Sequence, residues 1–297
     1  MADLLAHVAN CLIGGEMITD LGNGSFIRDT VTFTCEGRKF IVTQQPEVIK
    51  SKSPVSQFAG RFSMTTQIKV PNVEQSDVPE VLASIDRICW LLSFACQSKV
   101  VCYGHDYPAG VHAARKAVVG TTRFFRPVFN IQYGAVIRDF IDQTYAAYTQ
   151  LEKSRKLNVA IDYLLQAERD ALPTECRLIF AFVLLENLKH TYAESKGIPF
   201  VKGFFRKGSS PKDATISFKD MLNRMFKAVG MAPALDDIVT LRNSIVHSGM
   251  SDLTHHANRQ AYEQIQDLVR EYLLRLLGFK GSYTLYSNPN GAKAVIV

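Results

Sequence analysis

The pattern of apolar and polar residues changes its period near residue 130. Before that point, short runs rich in β-branched and aromatic residues are typical of strands. Two such runs, "SFIRDTVTFTC" and "RKFIVTQ", flank Glu36-Gly37 and predict a hairpin with a tight turn. The runs "TTQIKVP", "KVVCYGH" and "KAVVGTTRFFRPVFN" predict further strands, and the apolar residues between Asp77 and Ala95 recur at helical steps. The pattern therefore predicts a β-rich N-terminal domain with at least one helix.

After residue 130, almost every apolar run has the three- and four-residue steps of an amphipathic helix. Six segments show this period: "GAVIRDFIDQTYAAYTQL", "KLNVAIDYLLQAERDA", "TECRLIFAFVLLENLKHTYAESKG", "SFKDMLNRMFKAVG", "ALDDIVTLRNSIVHSG" and "ANRQAYEQIQDLVREYLLRLLGF". Four of these runs are followed by a glycine that is expected to end the helix, at Gly197, Gly230, Gly249 and Gly278. The second half is therefore predicted to be an all-α bundle.

Together the two patterns predict an α+β fold class in three segments: a β-rich domain over 1–130, a helical bundle over 131–285 and a C-terminal tail over 286–297. The content of 47% hydrophobic and 21% charged residues is ordinary for a soluble domain. No apolar run reaches the roughly 18 residues that a membrane span needs. The N-terminal "MADLLAHVANCLIGGE" has an early aspartate and no basic stretch, so no secretory signal is expected. We expect a cytoplasmic protein.

Cysteine usage and charge narrow the chemistry further. The six cysteines are scattered and form no C-x-x-C pair, which favours reduced thiols over disulfides or a zinc site. No metal or other cofactor is therefore expected. The formal net charge of +6 permits an anionic partner such as RNA without requiring one.

One long loop, "IPFVKGFFRKGSSPKDAT", interrupts the helical half. It interleaves Lys202, Arg206 and Lys207 with phenylalanines, and basic residues next to aromatic ones can hold phosphates and stack bases. The alternative is a loop whose aromatic side chains attach it to the bundle. The sequence leaves both interpretations open.

The stretch "LRNSIVHSG" carries the main candidate chemistry. On a helix, Asn243 and His247 are four residues apart and share one face. Arg242 lies about 140° around the helix from His247, but its long side chain can reach towards that face. An arginine can stabilise charge on phosphoryl oxygens, and a histidine can move a proton at neutral pH. These residue types are suited to cleaving a phosphodiester without a metal.

Gly249 indicates that this helix ends just after His247. The histidine then lies at the negative end of the helix dipole, which favours an acid role or contact with phosphate. The alternative is a histidine that caps the helix and an arginine in solvent. Spacing and physical chemistry alone do not decide between the two.

The stretch also resembles the R-N-x3-H signature of the HEPN (higher eukaryote and prokaryote nucleotide-binding) superfamily, whose members are helical bundles and often metal-independent RNases. "IFAFVLLENLKHTYA" resembles the helix that precedes the motif helix there, and "YEQIQDLVREYLLRLLGFKGSY" resembles the closing helix of the ApeA-like branch. That branch also has a β-rich N-terminal domain. The resemblance covers about residues 133–285 well and the N-terminal half only loosely.

The resemblance implies that Arg242, Asn243 and His247 form the catalytic set. It implies RNA as substrate, with attack by the ribose 2′-hydroxyl leaving a 2′,3′-cyclic phosphate, and a homodimer that places two motifs in one cleft. Glu186 lies in the helix that faces the motif, where it either orients Arg242 or meets solvent at the edge of the core. A toxin or antiviral defence role would fit, with the N-terminal domain sensing a trigger or inhibitor.

The resemblance also permits a second function class. Some HEPN bundles are non-catalytic modules for dimerisation or for nucleic-acid or nucleotide binding, and Arg242 and His247 would then be interface or capping residues. A third hypothesis is nucleotidyl or AMP transfer with the histidine as acceptor or as a ligand contact. The intact R-N-x3-H pattern favours the ribonuclease.

Overall fold

The computed structural model describes residues 1–20, 24, 26–49, 60–108, 110–113, 126–169, 172–291 and 293–297. Its largest sheet has seven strands: β1 (Ala2–Ala9), β2 (Met17–Asp20), β3 (Phe26–Cys35), β4 (Arg38–Gln44), β5 (Met64–Val73), β6 (Val101–Tyr107) and β7 (Gly110–Ala113). They lie in the order β2-β3-β4-β5-β1-β6-β7, and every neighbouring pair is antiparallel. A one-turn helix, Pro46–Ile49, follows β4.

The predicted hairpin is present between β3 and β4. Cys35 pairs with Arg38, so Glu36 and Gly37 alone form the turn. Both turn residues have positive φ, 51° and 75°, as the two-residue turns that match strand twist require. The predicted strands "TTQIKVP" and "KVVCYGH" are also confirmed, within β5 and β6.

Several parts of the N-terminal half differ from the sequence interpretation. Strands β1, β2 and β7 were not predicted. Strand β1 lies inside the sheet between β5 and β6 and buries alternate residues Leu4, Ala6 and Val8. The predicted strand "KAVVGTTRFFRPVFN" falls mostly on residues 114–125, which lie outside the described residues. The part that is described, residues 126–130, has no strand.

The helices are α1 (Val78–Cys96), α2 (Gly134–Arg155), α3 (Leu157–Gln166), α4 (Thr174–Ser195), α5 (Phe218–Lys227), α6 (Asp236–Ser248) and α7 (His255–Leu276). Each predicted helical segment overlaps one of them over most of its length. The glycines expected to end helices all adopt positive φ, between 63° and 76°. That backbone conformation costs other residues more than glycine, because glycine has no Cβ.

The sheet and the bundle share one continuous core. Helix α1 packs against β5 and β6, and α2 packs against β3. The Phe129 ring lies 4.8 Å from the Phe140 ring and 5.2 Å from the Phe279 ring. A Cβ on Gly134 would come within 2.7 Å of the Gly14 carbonyl oxygen, so the backbones touch across the boundary predicted near residue 130. The division into domains remains a prediction.

Two short two-stranded sheets complete the described fold. Strands β8 (Phe200–Val201) and β9 (Phe204–Phe205) form a small hairpin inside the long loop. Strands β10 (Gly281–Tyr283) and β11 (Ala294–Ile296) pair in the C-terminal segment, which buries Tyr286. The α+β fold class is therefore confirmed, with an N-terminal antiparallel sheet followed by helices. No helix among the described residues is long and apolar enough to cross a membrane.

Candidate functional site

The sequence of helix α6 accounts for its buried face and for its C-terminal end. Ile238, Leu241 and Ile245 are buried at helical spacing, so they attach one face to the bundle. The helix ends at Gly249, whose φ is 74° and whose N–H donates to the Ile245 carbonyl. The Ser248 hydroxyl donates to the Ser244 carbonyl at 2.7 Å and closes the last turn. The ending predicted at Gly249 is therefore confirmed, and it leaves His247 in the final turn.

Arg242 is anchored on both sides of its guanidinium group. Its Nη2 donates to Glu186 Oε1 at 2.8 Å, and its Nη1 donates to Asn243 Oδ1 at 3.0 Å. The guanidinium also lies over the Phe218 ring, 5.0 Å from its centroid. Three contacts from three helices, α4, α5 and α6 itself, therefore set the direction of this side chain.

The carboxylate of Glu186 is shared by two cations. Its Oε1 accepts from Arg242, and its Oε2 accepts from the ammonium group of Lys189, one turn further along α4. The Lys189 ammonium also lies 5.0 Å from the centroid of the Phe218 ring. Lys189 and Phe218 were not predicted as site residues. The i, i+3 spacing of Glu186 and Lys189 was a signal for their pair, but no sequence pattern connects Phe218 with Arg242.

Asn243 and His247 form the solvent side of the motif. Both side chains are exposed, one turn apart on α6, which corresponds to about 5.4 Å along the helix axis. Within the described part of the chain, the His247 imidazole makes no hydrogen bond or ion pair. The structure therefore connects Arg242, Asn243 and Glu186 by hydrogen bonds. It places His247 on the same helix, without a hydrogen bond to any of the three.

Polar contacts in the middle of α6 and just beyond its C-terminal end indicate that it runs antiparallel to α4. Arg242 pairs with Glu186, and beyond the end of α6 Ser251 donates to Asn258, whose amide donates to Glu175 at the start of α4. Residues after Arg242 thus lie beside residues before Glu186.

At this register, four exposed apolar residues lie at about the same level along the two helices, after Arg242 and before Glu186. We call them the apolar stripe, and their side chains are 40% to 69% exposed: Ile179, Val183, Val246 and Met250. Val183 lies one helical turn before Glu186, and Val246 lies one helical turn after Arg242. An exposed apolar group bordered by polar side chains is typical of a surface that contacts another molecule.

The long loop that carries Lys202, Arg206 and Lys207 is held in place by hydrogen bonds between its own residues. Arg206 Nη1 donates to the Asp213 carbonyl at 2.7 Å, and its Nε donates to the Val201 carbonyl at 3.3 Å. Lys202, at the turn of the β8–β9 hairpin, and Lys207 are exposed. Of the three basic residues proposed to bind RNA, Arg206 therefore braces the loop, and the two lysines remain accessible.

The loop phenylalanines contact the bundle. The rings of Phe200 and Phe205 lie 5.4 and 5.2 Å from the imidazole of His190 on α4, and Phe205 is buried. Phe204 remains exposed, next to the Arg206 guanidinium. The attachment of the loop to the bundle is therefore seen, and it involves two of its three phenylalanines.

The described residues contain no group of three or more His, Cys, Asp or Glu side chains that could hold a metal ion. All six cysteines are free thiols, and five of them are buried. Comparisons with protein-family models, with curated protein sequences and with solved structures found no match in any of the three. Functional inference for this chain thus depends on its own side chains.

Proposed function

We propose that this chain is a metal-independent endoribonuclease of the HEPN type that cleaves RNA with Arg242, Asn243 and His247. The observation that carries the proposal is an anchored arginine and an accessible histidine on one helix. Glu186, Asn243 and Phe218 set the direction of Arg242, while the His247 imidazole stays exposed in the last turn of α6. A fixed cation stabilises developing charge without first having to reorganise.

The proposed reaction uses groups of the RNA and of the motif alone. The ribose 2′-oxygen attacks the adjacent phosphorus and loses its proton, and the bond from phosphorus to the 5′-oxygen breaks as that oxygen gains a proton. The products are a 2′,3′-cyclic phosphate and a 5′-hydroxyl. Arg242 stabilises charge on the non-bridging oxygens, and His247 transfers one of the two protons. Asn243 holds the phosphate and the arginine.

A second copy of the chain supplies what one motif lacks. In-line displacement needs a base for the attacking oxygen and an acid for the leaving oxygen, and one imidazole cannot serve both at the same moment. The apolar stripe lies one turn from Arg242, where a second copy would bring its own motif close. We therefore propose a homodimer with two facing motifs. Lys202 and Lys207 would then guide the RNA backbone by charge.

The first experiment is cleavage of total tRNA and of a mixed single-stranded RNA in EDTA. Wild type is compared with His247→Ala and Arg242→Ala, and His256→Ala serves as a matched control because His256 is an exposed histidine outside the motif. We expect wild type and His256→Ala to produce cyclic-phosphate ends. We expect both motif variants to lose activity by at least about a hundredfold, the usual contribution of a general acid or base or of an oxyanion donor. Equal cleavage by all four proteins would contradict the proposal.

The apolar stripe also favours the second candidate, a non-catalytic dimerisation module. In that case no RNA would be cut, even when lysate of stressed or infected cells is added as a source of a trigger for the N-terminal domain. Val246→Glu would convert a dimer to monomers, because it places a charge in the stripe. Sedimentation measures the oligomeric state of this variant, and the RNA assay measures its cleavage. If Val246→Glu loses both the dimer and the cleavage seen in wild type, the ribonuclease is supported. If it loses the dimer and wild type does not cleave either, the dimerisation module is supported.

A further inference from the structure

A second polar region lies at the other end of α4, away from the motif. A cavity of about 360 Å³ opens between Glu168, residues 172–174 at the start of α4, the first turns of α7 and the C-terminal segment. This volume is at the lower end of the range of small-molecule sites, roughly 300–1,000 Å³. No residue of the motif lines it. The cavity is therefore separate from the motif that is proposed to cleave RNA.

Three guanidinium groups line the cavity, from Arg126, Arg177 and Arg259. Two carboxylates oppose them, Glu168 and Glu263. The Glu263 carboxylate is shared, because its Oε1 accepts from Arg126 at 2.9 Å and from Arg259 at 3.3 Å. Among the described lining residues, three guanidinium groups against two carboxylates give a formal excess of one positive charge.

The second carboxylate is held by hydroxyl groups instead of cations. Glu168 accepts hydrogen bonds from the hydroxyls of Tyr262 and Tyr286, and all three side chains are buried. Behind this wall lies Arg270, which is fully buried, and its Nε and Nη1 have no hydrogen-bond partner among the described residues. We call these four residues the Glu168 cluster. The guanidinium group of Arg270 adds one positive charge behind the cavity wall.

Two long helices also point their N-termini at the cavity. Thr174 begins α4 and His255 begins α7, both line the cavity, and each helix has 22 residues. Pro173 precedes α4 and supplies no side-chain cap, so the first N–H groups of that helix keep their capacity to donate. Helix N-termini carry partial positive charge and bind anions.

The chemistry of the lining selects among anions. Guanidinium groups match phosphate oxygens with paired hydrogen bonds. The ring of Tyr286 is already in contact with two cations, because the guanidinium groups of Arg126 and Arg270 lie 4.7 and 4.8 Å from its centroid. The lining therefore suits a phosphate group better than a stacked base. We propose that this cavity binds the phosphate group of a small phosphorylated molecule.

The test uses the full chain and isothermal titration with three probes: inorganic phosphate, AMP and adenosine. We expect phosphate and AMP to bind and adenosine not to bind, because the phosphate supplies the recognition. We expect higher salt to weaken binding, since the attraction is electrostatic. If adenosine binds as well as AMP, or if neither phosphate nor AMP binds at low salt, the proposal is wrong.

Two arginine variants on α7 locate the site. Arg259→Gln removes a cavity guanidinium that is largely exposed, so the fold should be retained, and we expect about a fivefold to tenfold loss of phosphate and AMP affinity. Arg275→Gln is the matched control, because Arg275 makes the same kind of i, i+4 ion pair with Glu271 away from the cavity. Unchanged affinity in Arg259→Gln, or an equal loss in both variants, would overturn the assignment to this cavity. Neither result depends on whether the motif cleaves RNA.

Discussion

The motif helix region and the Glu168 cluster both bring an arginine near a glutamate, but the two residues are near the surface at the motif and are buried in the cluster. At the motif, Arg242 pairs with Glu186 near the surface and His247 faces solvent. In the cluster, Glu168 and Arg270 lie inside the protein, and the glutamate is held by tyrosine hydroxyls. Exposed charges are screened and contribute little to stability, so they are free to serve chemistry. Buried charges must be matched by partners, so their removal disturbs the fold.

The largest expected effect is that of Arg270→Met. This change keeps most of the side-chain volume but removes the hydrogen bond from Nη2 to the Arg126 carbonyl, 2.7 Å long, and the charge next to Glu168. We expect the free energy of unfolding to fall by about 3 kcal/mol, the upper end of the cost of losing a hydrogen bond from a charged group. Urea unfolding followed by circular dichroism measures it.

The double variant Glu168→Gln/Arg270→Met is the control for this prediction. Removal of both charged groups should cost less than the sum of the two single changes, because neither partner is left unmatched. If Arg270→Met alone lowers the free energy of unfolding by less than about 1 kcal/mol, Arg270 contributes no more than a surface arginine. The contrast between the two regions would then be wrong.

The second prediction concerns pH and Glu168. Burial raises the pKa of its carboxyl above the ordinary value of 4.5, against the opposing effects of the Tyr262 hydrogen bond and the charge of Arg270. The folded protein therefore binds this proton more tightly than the unfolded chain does. The stability contributed by this group is present at low pH and is lost as the pH rises from the ordinary pKa through the raised one.

Glu168→Gln should remove that loss, so the free energy of unfolding of the variant should fall less steeply as the pH rises above about 4.5. Urea unfolding at a series of pH values measures the difference. Glu271→Gln is a suitable control, because Glu271 pairs with Arg275 near the surface. If wild type and Glu168→Gln show the same pH dependence, the carboxyl of Glu168 does not titrate as its burial requires.

The smallest expected effects are at the motif. Arg242→Gln loses the ion pair with Glu186 and should cost about 1 kcal/mol, since both groups keep some contact with water. His247→Ala should change the free energy of unfolding by less than about 0.5 kcal/mol, because the imidazole is exposed. Thermal and urea unfolding of the two variants test this order. A cost for His247→Ala as large as that for Arg242→Gln would mean that the imidazole is packed and is not available to substrate.

Much of the local structure was predictable because its causes are short in range. The period of apolar residues located all seven helices of more than one turn among the described residues, and Gly249 located the end of the motif helix. The residues Glu36 and Gly37 predicted their own turn. Strand β1 was missed because its alternating pattern, seen in the burial of Leu4, Ala6 and Val8, is brief and lies at the N-terminus. Only its pairing with β5 and β6 makes it a central strand.

What the sequence determined by itself was therefore the kinds of element and the spacing of Arg242, Asn243 and His247 along one helix. The tertiary structure decided which distant groups meet. It brought Glu186 to Arg242 across 56 residues, although the sequence left open whether this glutamate met solvent, and it placed Phe218 beside both Arg242 and Lys189. Periodicity and turn chemistry act over a few residues, whereas the register of one helix on another depends on packing summed over the whole core.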